Sequence, residues 1–408
     1  MSILDSASLV QIPSGYKDGK LYSVVPDSGA GDLDFARSST GTRVNEEGIV
    51  VSEGVNVPRL DYIGGCPKLL IEPQSTNNFD YSENFAANWS VYATASASDN
   101  QGISPDGANN ATLLTKNNIF ARIDKSLSLP SSTYTYSIFA KKGITDWIVL
   151  RVDGSIGFSF VSFDLGNGVV GNDQNIVSKS IEDYGNGWYR CSMTMTTTIT
   201  VARCYVRNDG NYPTSNAVTA DAYLWGATME AIEIPTSYIP TSGTTATRTQ
   251  DISQTTSSNI AAAINGEEGV LFIDFDRLGL DFEDSWMGLY KASNSFNFNI
   301  RILYRKDRII GYVRSNQYQA VMQYYGTWTM PRIKVALKWK VNDFALWVNG
   351  VEGATDTSGI TFVADFLDTV KLGDHFTSAN PEFESKINTL AVFNTALSDA
   401  DLTELTTL

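Results

Sequence analysis

The fold is decided by stretches such as Thr133–Ala140 (TYTYSIFA), Trp147–Val152 (WIVLRV) and Ile333–Trp339 (IKVALKW). In each of them, β-branched and aromatic residues alternate with other residues instead of recurring at helical spacing. Such residues fit the pleated, half-buried surface of a strand. The pattern therefore predicts an all-β protein.

Turns and one helix are also visible in the sequence. Asn349-Gly350 separates two strand-like runs, and this dipeptide tolerates the positive φ angles of a two-residue hairpin loop. The segment Ser398–Leu405 (SDADLTEL) is the exception to the strand pattern, with Ser398 placed to cap a short helix. We expect the chain to end in that helix.

Composition predicts a folded protein of more than one domain. The chain has 408 residues, of which 42% are hydrophobic, 11% aromatic and 18% charged. A chain of this length exceeds the size at which one core keeps growing, so two or three domains are expected. The apolar content is sufficient for a sizeable interior.

Net charge and cysteine usage exclude several classes of partner. A net charge of -15 repels nucleic-acid phosphates and anionic membrane surfaces, and no apolar stretch reaches the length of a membrane span. We therefore expect no nucleic acid and no membrane insertion. Cys66, Cys191 and Cys204 are too few for a disulfide framework, and the last two read as small buried core residues.

Composition changes along the chain define four regions. We predict an extended N-terminal attachment arm over residues 1–78, because no run there is long enough for a core of its own. Residues 79–233 carry many short strands, as a jelly roll does. A Thr/Ser-rich linker over 234–259 leads to a second antiparallel β-sandwich over 260–408.

The segment Asp34–Glu83 resembles the leader of many bacteriophage structural proteins. The motifs that carry the resemblance are RSSTGTRVN, VPRLDY and LLIEPQSTN, in that order. The middle region is similar to the carbohydrate-binding-module-like jelly rolls that follow this leader, through Tyr81–Trp89 (YSENFAANW) and Gly185–Cys191 (GNGWYRC). The last region looks like a concanavalin A-like, laminin-G-like sandwich, through Arg332–Val351 and Leu390–Leu405.

The resemblance implies a non-catalytic virion protein. It would be made in the host cytoplasm, form part of a tail fibre, head fibre or decoration, and be a homotrimer, as fibre-like phage proteins commonly are. Its partners would be other virion proteins, bound through the arm, and host cell-surface polysaccharide. A purely structural role in capsid or tail is the alternative, since a shared fold does not define a ligand.

Alternation in the middle region places Trp147 and Arg151 on one face of a strand, and Arg203, Tyr205 and Arg207 on one face of another. Aromatic rings stack on sugars, and arginines present planar donors to hydroxyls and carboxylates. Two interpretations stay open: a glycan-binding face, or the solvated face of a sheet.

Related sugar-binding jelly rolls often hold a structural calcium ion between an acid near the first strand and one near the last. In this sequence those acids would be Glu83 and Asp221. Calcium requires six or more oxygen ligands, and the sequence supplies two candidate carboxylates. A bound calcium ion is an expectation of the resemblance.

The last region contains an aromatic segment with interleaved arginines, which suits a glycan surface, a subunit interface or ordinary core. Its members are Trp286, Arg301, Tyr304, Arg305, Arg308, Tyr324, Tyr325 and Trp328.

A phage polysaccharide depolymerase is the enzymatic alternative. Concanavalin A-like folds include hydrolases with paired carboxylates on one strand face, and the pairs Glu382/Glu384 and Asp274/Asp276 have that spacing. Both pairs also suit ordinary exposed acids. The single histidine, His375, is not accompanied by a serine or cysteine motif of the kind that a catalytic histidine activates. We therefore expect no catalytic residues.

Overall fold

The structure is a computed structural model that describes residues 2–92, 95–116, 121–213, 219–255, 258–278, 285–326, 328, 331–373 and 385–408. Strands dominate it, and the all-β fold class is confirmed. No helix in these ranges is long and apolar enough to cross a membrane.

The strands, numbered in chain order, are β1 (Leu9–Gln11), β2 (Tyr16–Lys17), β3 (Lys20–Leu21), β4 (Leu33–Ala36), β5 (Gly41–Val44), β6 (Val50–Glu53), β7 (Arg59–Asp61), β8 (Lys68–Ile71), β9 (Ser75–Asn77), β10 (Ser90–Tyr92), β11 (Ser96–Ser98), β12 (Thr112–Lys116), β13 (Arg122–Lys142), β14 (Trp147–Gly154), β15 (Gly157–Asp164), β16 (Val169–Gln174), β17 (Ser178–Asp183), β18 (Trp188–Arg207), β19 (Ala220–Glu230), β20 (Ala246–Arg248), β21 (Ile252–Gln254), β22 (Glu268–Arg277), β23 (Ser285–Tyr290), β24 (Phe298–Tyr304), β25 (Arg308–Ser315), β26 (Gln317–Tyr325), β27 (Arg332–Lys340), β28 (Phe344–Val348), β29 (Val351–Asp356), β30 (Thr369–Leu372) and β31 (Ser385–Phe393). The α-helices are α1 (Phe85–Asn88) and α2 (Asp399–Thr406), and short 3-10 helices cover Ile3–Ser6, Ser258–Ala263 and Ala292–Asn294.

The chain forms two compact units. Unit 1 comprises residues 1–40, 53–73 and 249–408, and unit 2 comprises residues 41–52 and 74–248. Each unit is a β-sandwich with its own hydrophobic core.

Unit 2 is organised around two long strands, β13 and β18, which pair antiparallel along most of their length. The second half of β13 pairs with β19 and its first half with β10, while the second half of β18 pairs with β14. The ladder shifts register near Leu129. Bulges of this kind let one strand pass from one sandwich layer into the other.

Unit 1 contains two sheets that pack around one core. One has the order β29-β28-β27-β22-β31-β8-β7, with β1 also on β31, and the other has the order β2-β3-β4-β21-β30-β23-β24-β25-β26. Alternate residues of the central strands, such as Leu271 and Ile273 on one sheet and Ile300 and Ile302 on the other, fill the core. On the first sheet, the opposite side of these strands is covered by a second apolar cluster, which includes Val270, Phe272 and Leu402.

The unit boundaries differ from the boundaries that we predicted. Residues 1–78 contribute strands to both units instead of standing apart as an arm: β1 and β8 pair with β31, and β4 pairs with β21. The predicted linker, 234–259, contributes β20 and β21 and buries Tyr238 and Ile239. Short strands that lack a core of their own can still complete a sheet formed by distant residues.

The predictions that depended on residues close together in the sequence agree with the structure better than the predicted domain boundaries do. Asn349 (φ 49°) and Gly350 (φ 82°) form the two-residue loop between β28 and β29, as predicted. Ser398 accepts a hydrogen bond from the Asp401 backbone N–H at the start of α2, so the predicted N-cap is confirmed. Cys191 and Cys204 are fully buried free thiols in the unit 2 core.

Candidate functional site

The five residues predicted for a ligand face lie on one side of a single layer of unit 2. Trp147 pairs with Arg207, and Arg151 with Arg203, across β14 and β18, and Tyr205 lies between the two arginines of β18. The residues that alternate with them fill the unit 2 core. We call this surface the arginine face; it comprises Tyr92, Arg122, Asp124, Trp147, Arg151, Asp153, Phe158, Phe160, Arg203, Tyr205 and Arg207.

Side chains on this face align in rows across the strands. In one row, Arg122 pairs with Tyr92 on one side and with Tyr205 on the other. Its guanidinium carbon lies 3.7 Å from the ring centroid of Tyr92 and 5.5 Å from that of Tyr205. Tyr92 is 48% exposed, so the row ends in an aromatic ring that a ligand can reach.

Three arginines of the face, Arg122, Arg151 and Arg203, surround two aspartates, Asp124 and Asp153. Arg122 Nε donates to Asp124 at 2.7 Å, and Arg203 Nε lies 3.5 Å from the same carboxylate. Arg151 Nε donates to Asp153 at 2.7 Å, and Arg203 Nη1 donates to its other oxygen. These side chains are 12–23% exposed. The cluster holds three guanidinium groups and two carboxylates, so it carries a net positive charge, and its side chains are partly accessible to solvent.

Tyr212, which follows β18, completes the face. Arg151 Nη1 donates to its hydroxyl at 2.7 Å, and its ring packs on Phe160 and Tyr205 at centroid distances of 4.8 and 5.3 Å. Burial alone would lower the pKa of Arg151, but the hydrogen bonds with Asp153 and Tyr212 outweigh it and raise the pKa. The guanidinium therefore stays charged. Alternation along a strand could not identify Tyr212, because it lies outside the strands.

The predicted residues differ in accessibility. Tyr205 and Arg207 are only 5% and 2% exposed, and they contribute to packing. Trp147 is half-buried, and its ring packs against Gly171 and Gly210. A Cβ atom at either glycine would lie 2.6 Å from the ring, so neither position has room for a side chain. The side chains of Arg151 and Arg203 are 22% and 15% exposed. Among the residues that we did not predict, Tyr92 and Arg122 also remain accessible.

Glu83 and Asp221, the two acids expected to hold calcium, each accept hydrogen bonds from other groups of the protein. Glu83 accepts hydrogen bonds from the Tyr238 hydroxyl at 2.6 Å and from the Asn110 amide at 3.2 Å, and burial raises its pKa. Asp221 accepts from the Ile144 backbone N–H at 2.6 Å. No group of three or more acidic, histidine or cysteine side chains is placed to hold a metal in the described part of the chain.

Calcium binding therefore stays a prediction of the resemblance, and thermal unfolding tests it. An ion held by Glu83 and Asp221 would raise the unfolding temperature in calcium over that in EDTA, and Glu83→Gln would abolish the rise. Identical unfolding temperatures would contradict it.

The acid pair Asp274/Asp276 is engaged in ion pairs. Asp274 is 3% exposed and accepts two hydrogen bonds from Arg332, at 2.8 and 2.5 Å. Asp276 accepts from Lys68. Both carboxylates are therefore engaged with cationic side chains, which does not suit the acid and base pair of a glycoside hydrolase. Glu382, Glu384 and His375 lie outside the described residues.

No protein-family model matches the chain, and no curated protein sequence matches it. Part of the chain is similar to solved structures of sugar-binding modules and glycosidases. The CBM40 of the Ruminococcus gnavus IT-sialidase bound to α2,3 sialyllactose is 18% identical, with a TM-score of 0.31, over 36% of this chain and 87% of that one.

Two other structures show a comparable likeness. The NanB sialidase from Streptococcus pneumoniae is 16% identical with a TM-score of 0.29, over 36% of this chain and only 25% of its own. Domain 4 of AbnA, a GH43 extracellular arabinanase from Geobacillus stearothermophilus in complex with arabinotriose, is 16% identical with a TM-score of 0.26, over 38% of this chain and 73% of that one. At these TM-scores, the likeness carries no conclusion about what this chain binds.

Proposed function

We propose that this chain is a non-catalytic structural protein of a bacteriophage particle, and that it attaches the particle to host-surface glycans through the arginine face. The observation that carries glycan binding is the set of partly exposed arginine side chains beside an exposed tyrosine ring. The ordered leader motifs in residues 34–83 support the virion assignment.

The arginine face suits a sugar for chemical reasons. The ring of Tyr92 offers a flat apolar surface of the kind that stacks on the C–H face of a pyranose. Asp124 and Asp153 orient the guanidinium groups of Arg122, Arg151 and Arg203, so their remaining N–H groups are positioned before a ligand arrives. Hydroxyl and carboxylate oxygens of a glycan would accept those hydrogen bonds.

Replacing Tyr92 with Ala, or Arg203 with Gln, is expected to weaken glycan binding by about tenfold or more. The first change removes the exposed stacking ring, and the second removes charge-assisted hydrogen bonds worth about 1.5–3 kcal/mol. Binding of the purified full chain to a glycan array and to host cells measures the effect. Thermal unfolding verifies that each variant is folded.

Tyr22→Ala is the matched control, because Tyr22 is a 41% exposed tyrosine of unit 1 that lies outside the arginine face. It should leave binding unchanged. If the wild-type protein binds neither glycans nor host cells, the receptor part of the proposal fails. Equal losses in the control and in Tyr92→Ala would also contradict it.

Attachment to the particle is the other half of the proposal. The strands of residues 1–78 are built into the two units, so attachment would use their exposed side chains, among them Tyr22, Val24 and Val55. We also propose a homotrimer, from the resemblance to fibre proteins. Mass spectrometry of purified particles and the molar mass of the protein in solution test these two statements. Absence of the protein from purified particles would contradict attachment, and the molar mass of a monomer in solution would contradict the homotrimer.

A further inference from the structure

A second surface that combines aromatic rings with arginines lies on unit 1. It comprises the side of β23–β26 that faces away from the core, together with the loop that precedes β24. We call it the aromatic–arginine strip; its members are Trp286, Phe296, Arg301, Tyr312, Arg314 and Tyr318. Of these, Trp286 and Arg301 belong to the aromatic segment predicted from sequence, whereas Tyr304, Tyr324 and Trp328 of that segment pack on the core.

Strand register explains why these side chains meet. Arg301 pairs with Tyr312 across β24 and β25, and Arg314 pairs with Tyr318 across β25 and β26. Ile300 and Val313, which alternate with these residues, lie in the core. Residues paired across neighbouring strands lie close together on one face of the sheet.

Rings and guanidinium groups stack along the strip. Arg301 lies 4.1 Å from the ring centroid of Trp286 and 5.1 Å from that of Tyr312. Arg314 lies 4.1 Å from Phe296 and 5.0 Å from Tyr318. These distances are typical of cation–π contacts. They hold the guanidinium planes in fixed positions.

The exposed end of the strip is centred on Arg314. Phe296 and Tyr318, which flank it, are each 51% exposed, whereas Arg301 is 4% exposed. Arg314 Nη2 donates to the Asn297 side-chain oxygen at 3.3 Å. A ligand would therefore meet a guanidinium group between two accessible aromatic rings.

Charge on this part of the sheet is opposite to the charge of the whole chain. The strands β23, β24, β25, β26 and β30 contain Arg301, Arg308, Arg314 and Lys371 and no aspartate or glutamate. The chain as a whole carries a net charge of -15. Among described neighbours, Asp307 lies 3.7 Å from Arg308, at the turn that precedes β25. A local cationic surface on an acidic protein favours an anionic ligand.

We infer that the aromatic–arginine strip binds an acidic polysaccharide, a chain of sugars that bear carboxylates. The exposed rings stack on sugar faces, and Arg314 between them pairs with a carboxylate through its planar donors. A standard protein interface involves about 20–30 residues on each side. The exposed part of the strip is a short row of side chains, which fits a linear glycan better. This site is separate from the arginine face and does not depend on it.

Binding of the full chain to poly-α2,8-sialic acid and polygalacturonate, with neutral dextran as reference, tests the inference. We expect binding to at least one polyanion, none to dextran, and weaker binding as salt screens the charges. Arg314→Gln and Tyr318→Ala should each weaken polyanion binding by about tenfold. Lys340→Gln, which removes a 52% exposed cation from the other sheet of unit 1, is the control and should have no effect.

Several outcomes overturn the inference. They are the absence of polyanion binding, equal binding to dextran, or equal losses in Lys340→Gln and Arg314→Gln. Loss of binding in Arg203→Gln but in neither strip variant would assign the polyanion to the arginine face alone. A shift in oligomeric state caused by Tyr318→Ala, with unchanged polyanion affinity, would identify the strip as an interface between copies. Polyanion binding that fails only in the strip variants supports the inference even if the arginine face binds no glycan.

Discussion

Asp251→Asn is expected to lower the free energy of unfolding of unit 1 by about 3–5 kcal/mol, the range found when one partner of a buried ion pair is removed. The Asp251 carboxylate is fully buried and accepts from Arg37 Nη1 at 3.1 Å, from Arg59 Nη2 and from the Glu72 backbone N–H at 2.9 Å. Arg59 also pairs with Glu72 at 2.8 Å. The substitution leaves two buried guanidinium groups to share the remaining carboxylate.

The pKa of Arg59 is consistent with this expectation. Burial alone would lower it, but the charges of Asp251 and Glu72 outweigh burial and raise the pKa above its ordinary value. Arg59 therefore remains charged in the interior and cannot relieve the loss of its partner by releasing a proton. Denaturant unfolding measures the change, with separate probes for the two units because they can unfold independently.

Asp34→Asn is the matched control in unit 1. Asp34 pairs with Lys20 at 3.1 Å, and both side chains are partly exposed, at 32% and 42%. Exposed pairs of this kind contribute about 0–1 kcal/mol. If Asp251→Asn is no more destabilising than Asp34→Asn, the buried network does not stabilise the unit.

Deletion of residues 1–78 is expected to prevent unit 1 from folding. The deletion removes β1, β4, β7 and β8, and with them the buried side chains of Leu9, Leu33, Leu60, Leu69 and Ile71. Truncating one such side chain to Ala costs about 2–5 kcal/mol. Together, five such losses amount to about 10–25 kcal/mol, which reaches or exceeds the roughly 5–15 kcal/mol by which a native protein is stable. Near-UV circular dichroism and limited proteolysis of the shortened chain measure the outcome.

Deletion of residues 1–6 is the control. The 3-10 helix Ile3–Ser6 has no fully buried residue, so this shorter chain should keep its native spectrum. A 79–408 chain with a native near-UV spectrum and cooperative unfolding would contradict the expectation. It would show instead that residues 1–78 form an extended arm outside the folded units, as we predicted from the sequence.

Part of the site was predictable because it depends on local alternation. Arg203, Tyr205 and Arg207 share a side of β18, and Trp147 and Arg151 share a side of β14, as period two requires. Alternation does not indicate which face is covered or which strand lies next. Arg122 joins the arginine face because β13 lies beside β18, and Tyr92 joins it because β10 lies beside β13. Tyr212 joins it from a loop.

The sequence by itself determined the all-β class, the Asn349-Gly350 turn, the cap of α2 and the side of its strand on which each predicted residue lies. Each of these depends on backbone geometry and on residues that are close in the chain. The tertiary structure alone decided that Ser8 donates to Val392, 384 residues away, and that Asp251 pairs with both Arg37 and Arg59. Such contacts form because burial stabilises particular pairings of distant strands, and no local pattern encodes that choice.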